Sequence, residues 1–312
     1  MAHTLTQVRT WNAALKTTRP DLVALFVGAT SGIGRNTAVR LAASVDRPTI
    51  FTIGRNEAAG AEVLEELKAA NKNGTYKFFP VDVSHLRNVD EVCHKLKPEI
   101  QELDLLFLSS GAPSFGKKEG DDNIDVNHII RYYSRLRFVH NLLPSLELSK
   151  SPRVVSVLAG GQEMMIEEDN LDLKKSFSFS AGNGYPTTMT TLAFEHLAST
   201  HPSVSFIHDF PGIVATPLFK KVAGPILGSI LGFLSKVVSI PASESGEWHT
   251  YLATAPEYKS KNVADEPSGG SYILNHDGKD VTNQKLMEQF REKNFPSIVW
   301  KHTLDTFEKL SA

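Results

Sequence analysis

Short, unbroken apolar runs alternate along the chain with stretches whose apolar residues recur every three or four positions. Residues 22–27 are apolar throughout, as a strand covered on both faces must be. Residues 33–44 follow with helical spacing at Ile33, Ala38, Leu41 and Ala42. The same alternation predicts strands over 49–53, 76–81, 103–108, 153–158, 204–208 and 270–274. It predicts helices over 57–70, 89–96, 122–148 (ending near Pro144) and 187–199. Strands separated by helices imply parallel pairing through right-handed crossovers. The expected fold class is α/β, a doubly wound parallel sheet in a single domain. Residues 1–20 read as an N-terminal extension with a short helix, 21–280 as the sheet-bearing domain, and 281–312 as a C-terminal helical extension.

Sheets of this kind bind ligands outside the carboxyl ends of their strands. The functional segments are therefore 28–34, 54–56, 82–84, 109–114, 159–161 and 211–216. The first reads Gly28-Ala29-Thr30-Ser31-Gly32-Ile33-Gly34, between a strand and a helix. Glycines let the backbone turn sharply and approach a pyrophosphate closely. The helix N-terminus offers N–H groups and the positive end of its dipole. Gly28, Ser31, Gly32, Ile33 and Gly34 thus form the expected cradle of a dinucleotide. The second strand ends Ile53-Gly54-Arg55-Asn56, without the acid that would hold ribose hydroxyls. Arg55, joined by Arg35, suits a 2′-phosphate, so NADP(H) is the expected cofactor. Asp82 either holds the adenine amino group or caps the next helix, where Ser84 competes with it.

Composition narrows the partners. A net charge of −2 gives no reason to expect nucleic acid. The one cysteine, Cys93, excludes an internal disulfide and a cysteine metal site, and no histidine spacing suits a metal. The first twenty residues lack the apolar core of a secretory leader, and the expected location is cytoplasmic. Residues 222–240 are apolar at nearly the length of a membrane span, but Pro225, Lys236 and several glycines and serines interrupt them. Residues 222–245 are read as an apolar lid over a substrate. The run Glu163, Glu167, Glu168, Asp169 reads as a solvated face.

These segments together resemble the short-chain dehydrogenase/reductase family, over roughly residues 22–274. The matching stretches are GATSGIG (28–34), DVS (82–84), SGA (110–112), VN (126–127), VVSVLAG (154–160), Tyr185 with its helix, and PGIVATP (211–217). The resemblance implies a Rossmann-type fold and a nicotinamide cofactor. It adds Val83, Gly111, Tyr185, Val214 and Thr216 to the expected cofactor contacts. It implies homo-oligomers associating through the long helices, and it makes Tyr185 and Asn127 the expected catalytic residues. The insertion bearing Asn170-Leu171-Asp172 resembles the retinol-dehydrogenase-like branch, which suggests a bulky, apolar substrate. Two members of the family's catalytic quartet are missing. The serine position carries Ala159, and the lysine position, four residues after Tyr185, carries Met189. Methionine supplies neither charge nor donor. His128, Lys174, Lys175 and Thr188 are the candidate substitutes.

Three functions follow as expectations. The first is an NADPH-dependent reductase of a carbonyl or enone in specialised metabolism, with Tyr185 as proton donor. The second is a non-redox cyclase, isomerase or dehydratase on the same scaffold. The third is a catalytically inactive NADPH-binding protein.

Overall fold

Residues 24–27 are buried on both faces, the environment that their uninterrupted apolar sequence requires. They belong to β1 (Val23–Val27), an interior strand of a seven-stranded parallel sheet. The others are β2 (Thr49–Gly54), β3 (Thr75–Pro80), β4 (Leu105–Leu108), β5 (Arg153–Val157), β6 (Ser205–Phe210) and β7 (Ser271–Asn275). Their order is β3-β2-β1-β4-β5-β6-β7. The computed structural model describes residues 3–111, 116–120, 123–214, 239–262 and 270–311. β1 pairs with β2 on one side and β4 on the other, Val27 lying opposite both Ile53 and Leu108. The chain reverses its direction of winding between β1 and β4, and this is where doubly wound sheets open a ligand crevice. Edge strand β3 alternates exposed and half-buried residues and carries Lys77 and Pro80, which blunt a free edge.

Helices cover both faces. One layer holds α1 (Leu5–Thr18), α2 (Gly32–Ser44), α3 (Glu57–Ala70) and α8 (Ala242–Thr254). The other holds α4 (Leu86–Leu96), α6 (Ser134–Glu147), α7 (Phe179–Thr200), α9 (Gln284–Glu292) and α10 (Phe295–Ser311). In α4 the residues Leu86, Val89, Val92, Cys93 and Leu96 recur at helical spacing, and all five are buried. α1 begins in a capping box of Thr4 and Gln7, and it buries Val8, Asn12 and Leu15. The C-terminal helices lie within the core, where Phe290, Val299 and Phe307 are fully covered.

Of the boundaries that differ from the sequence pattern, three have a clear local reason. α7 starts at Phe179 rather than 187, because Ser178 caps it by accepting from the Ala181 amide at 3.0 Å. Gly182 and Gly184 are poor helix formers and hide that first part of the helix. The long helix predicted over 122–148 starts at α5 (Val126–His128), passes through a π-helical turn (Ile129–Tyr133) and continues as α6 past Pro144 to Glu147. Asp125 sets its start by accepting from the amides of Asn127 and His128. Lastly, residues 242–245, read as the end of a lid, form the first turn of α8. The central part of that predicted lid, 222–238, lies outside the described residues. Among the described residues, no helix is long and apolar enough to cross a membrane.

Candidate active site

The β1–α2 turn has the backbone that its glycines anticipate. Gly28 and Gly32 take φ values of +90° and +62°, which side chains disfavour. A Cβ on Gly28 would stand 2.5 Å from the Ser110 amide nitrogen. The turn therefore packs directly on the segment that follows β4. Ser31 is the N-cap of α2, yet its hydroxyl makes no capping bond. The hydroxyl of Ser110 is buried without a partner among the described residues. Gly111 next to it takes φ +134°. A helix N-terminus, two left-handed glycines and an orphaned hydroxyl at one crevice fit a dinucleotide's phosphates. Ile33 is half-buried against the core, and Val83 is buried.

The two arginines expected at the adenosine end differ. Arg35 forms a two-pronged pair with Glu66, at 2.9 and 2.8 Å, and reaches Glu62 at 3.3 Å. It is thereby committed to α3. Hydrogen bonding to Arg35 holds the Glu66 carboxyl below its ordinary value. Arg55 stays exposed at the end of β2, and the adjacent Asn56 caps α3. Asp82 caps no helix, since α4 starts from His85. Its Oδ1 accepts from both the amide and the hydroxyl of Ser84, at 3.0 and 2.8 Å. Partial burial works to raise the Asp82 carboxyl, but those bonds and the charge of Arg55 bring it below its usual range.

Beyond β6, Val214 is buried and bridges to Ile240, whose amide donates to Ile213 at 2.8 Å. The two ends of the long excursion are thus fastened together. Thr216 lies outside the described residues.

Asn127 sits on α5, directly before the π-helical turn, a distortion that recurs at functional sites. Tyr185 lies inside α7, not ahead of it, and is 5% exposed. Its hydroxyl oxygen accepts from the Glu167 amide at 3.1 Å. The segment after β5 runs along α7. Tyr185, Thr188 and Thr191 meet it in turn at spacings of one helical face. Thr188 is occupied by both backbone groups of Met164, at 2.9 Å each, so it is no substitute for the lysine. His128 is also excluded as a substitute. It is fully buried, bonded to the Leu171 carbonyl at 3.0 Å, and pulled down to about 3 by burial. Lys174 and Lys175 pair within the insertion, with Asp172 and Asp169. Met189 itself is fully buried in the core.

A second network lies under Ala159. The Ala159 amide donates to His208 Nε2 at 3.3 Å, which assigns the proton to Nδ1. Nδ1 meets Thr191 Oγ1 at 2.7 Å, and that hydroxyl donates to Glu163 Oε1 at 2.7 Å. Glu163 is therefore no solvated residue, for its side chain is 2% exposed. Burial raises its carboxyl above the ordinary value.

Two residues that the sequence reading passed over stand at the centre. Arg131 and Arg135 are one turn apart on the helix that bears Asn127. Arg135 donates to the carbonyls of Leu108, Val157 and Ser110 and to Ser156 Oγ, stitching the ends of β4 and β5 together. Arg131 crosses Gly111 to reach α7. Its Nη1 donates to the Gly182 carbonyl at 3.1 Å and to Asn183 Oδ1 at 2.9 Å. The signal was present in the sequence as two arginines four apart among Ile129, Ile130, Tyr132, Tyr133 and Leu136, a spacing that puts both on a buried helix face. Among the described residues, no cluster of histidine, cysteine and acidic groups suits a metal.

Comparison with known proteins bears on this arrangement. The short chain dehydrogenase family model matches residues 22–168. Oxidoreductase andH of Emericella variicolor is 42% identical over 98% of this chain and 97% of its own length. Polyprenol dehydrogenase of Homo sapiens is 26% identical over 88% of this chain and 84% of its own. The L-sorbose reductase of Gluconobacter frateurii, solved with NADPH and L-sorbose, superposes with a TM-score of 0.65. It does so at 16% identity, over 84% of this chain and 97% of that one, which is a likeness of fold alone.

Proposed function

Because the chain belongs to the short-chain dehydrogenase/reductase family of oxidoreductases, we propose that it is an NADPH-dependent reductase of a carbonyl or enone in a bulky, apolar small molecule of specialised metabolism. One observation carries the reading. The Tyr185 oxygen already accepts a hydrogen bond from Glu167, and among the described residues no acceptor takes the phenol's own proton. A buried phenol so arranged is a proton donor awaiting an acceptor, such as a carbonyl oxygen.

The glycine turn, Ser110 and Gly111 would hold the dinucleotide, which supplies a hydride when bound. Exposed Arg55, with no acid at the end of β2, supports the 2′-phosphate and hence NADPH. The apolar substrate is supported by Met165, Phe179 and Ile213, exposed at 47%, 60% and 48%. They sit on the segment along α7, at the start of α7 and just beyond β6. A polyprenol dehydrogenase among the relatives fits the same chemistry.

The test is NADPH oxidation across a panel of bulky ketones and enones. Tyr185→Phe should slow turnover by about 10²-fold or more while leaving NADPH binding intact. Tight NADPH binding by the wild type with no oxidation across the panel would replace this reading with a non-redox one.

A further inference from the structure

The crevice contains a charge that its fold does not neutralise. Arg131 is 6% exposed. Among the described residues, no carboxylate forms an ion pair with it. Asp125 is the carboxylate whose charge it feels, but the Asp125 oxygens are taken by the amides of Asn127, His128 and Lys118. Burial pulls the Arg131 guanidinium down to about 10, so it stays charged at neutral pH. Three donations are made, two from Nη1 and a long one from Nη2 to the Asn183 carbonyl at 3.5 Å. The Nε–H has no acceptor among the described residues. A buried cation without a counter-charge is costly unless an anion joins it. The place is also specific. Arg131 passes over Gly111 at the mouth of β4, where a Cβ would come within 2.9 Å of it, and it ends one turn before Tyr185. Arg135, one turn deeper, is consumed by strand-end carbonyls.

We propose that Arg131 is the cation of this site, a catalytic guanidinium that faces the substrate oxygen and carries the positive charge absent at Met189. This rests on the reductase reading. In that reduction a bound dinucleotide would supply the hydride for the new C–H bond at the carbonyl carbon. The carbonyl π pair moves onto oxygen, Tyr185 passes its proton to that oxygen, and solvent reprotonates the phenolate as the dinucleotide is left oxidised. Negative charge visits first the substrate oxygen and then the phenolate. A fixed guanidinium in a water-poor crevice favours both.

The test compares the wild type with Arg131→Gln and Arg131→Lys. Glutamine keeps a donor for the Gly182 carbonyl and removes only the charge. Melting curves establish that both variants fold. Each protein is saturated with NADP+ and titrated calorimetrically with benzoate, whose carboxylate stands in for the charged oxygen. Benzoate should bind the wild type, bind Arg131→Gln about tenfold or more weakly, and recover most of that loss in Arg131→Lys. The affinity for NADP+ should be alike in all three. NADPH oxidation should fall by about 10²-fold in Arg131→Gln, in kcat rather than KM. Equal benzoate affinity in wild type and Arg131→Gln, or no benzoate binding at all, overturns the proposal. Arg131-dependent benzoate binding without any NADPH oxidation by the wild type would instead remove the reductase reading and leave the anion site standing.

Discussion

Pro186 leaves the carbonyl of Gly182 without its helical donor, and Arg131 supplies one from a neighbouring helix at 3.1 Å. Proline lacks the N–H that would bond four residues back, and a buried carbonyl needs a partner. Arg131 thus ties the turn bearing Asn127 to the turn bearing Tyr185. The relationship predicts energetic coupling between two residues distant in sequence. Pro186→Ala returns an N–H to Gly182, so removing the arginine should then matter less. In urea denaturation, the destabilisation caused by Arg131→Met, which has no donor for that carbonyl, should shrink by about 1 kcal/mol in the Pro186→Ala background. Strict additivity of the two changes would show that the contact carries no stability.

The glycine turn predicts a different kind of failure. Gly28→Ala imposes a left-handed backbone on a side chain and drives a methyl to within 2.5 Å of the Ser110 nitrogen. The backbone effect alone costs about 1–2 kcal/mol. The variant should melt well below the wild type and, where folded, bind NADPH at least about tenfold more weakly. Normal melting and normal binding together would mean that the turn is not packed on the segment after β4 as described.

Much of this architecture was legible because parallel strands announce themselves. The run 22–27 and the Gly28–Gly34 turn can be little else. The resemblance also put Ala159 and Met189 at the family's serine and lysine positions. The burial of Arg131 and Glu163 was not legible, because it depends on tertiary contacts with Gly182 and Thr191 more than 25 positions away. The start of α7 was hidden for a simpler reason: its glycines weaken the helical signal that the Ser178 cap restores. Met189 shows the practical consequence. Restoring the family residue by Met189→Lys would place an ammonium in a fully buried apolar position, where ionisation is strongly disfavoured. The variant should lose stability and gain no activity. By contrast, Ala159→Ser adds a hydroxyl at a half-buried position and should leave melting unchanged while raising NADPH oxidation. A Met189→Lys variant faster than the wild type would show that α7 turns a different face to the crevice.

Acid should unfold the protein through its buried histidines. Burial is the main cause that pulls His128 and His208 down to about 3 from the ordinary 6.5. Between those limits the unfolded chain holds a proton on each ring and the folded chain does not. Stability is therefore complete above about pH 6.5 and falls as the pH drops through this window, by about 1.4 kcal/mol per pH unit for each histidine. Glu163, raised above 4.5 by burial, acts in the opposite sense near that value. Urea midpoints should fall steeply from pH 6 to pH 5. His128→Gln should lower the slope by about one proton. A flat profile across that interval would mean that both rings reach water.

The proposed preference for NADPH brings in two arginines that the fold treats differently. Arg35 is held by Glu66 and Glu62, and its bond to Glu66 raises its already high proton affinity. To reach a 2′-phosphate it would have to abandon a two-pronged carboxylate pair, exchanging one anion for another with little gain. Arg55 has no such commitment. It stands exposed where β2 ends, beside Asp82, whose carboxyl it helps to keep ionised. A phosphate between Arg55 and the N-terminus of α2 would meet a planar donor fork and a helix dipole together. Arg55→Ala should therefore weaken NADPH binding by about tenfold or more, leave NADH binding nearly unchanged, and flatten the salt dependence of NADPH affinity. Arg35→Ala should move the melting temperature slightly and the NADPH/NADH ratio hardly at all, since partly exposed pairs contribute at most about 1 kcal/mol. Fluorescence titration of the two variants with both dinucleotides separates the roles. A ratio that collapses in Arg35→Ala but not in Arg55→Ala would mean that cofactor binding reorganises α3, releasing Glu66 from the arginine it holds.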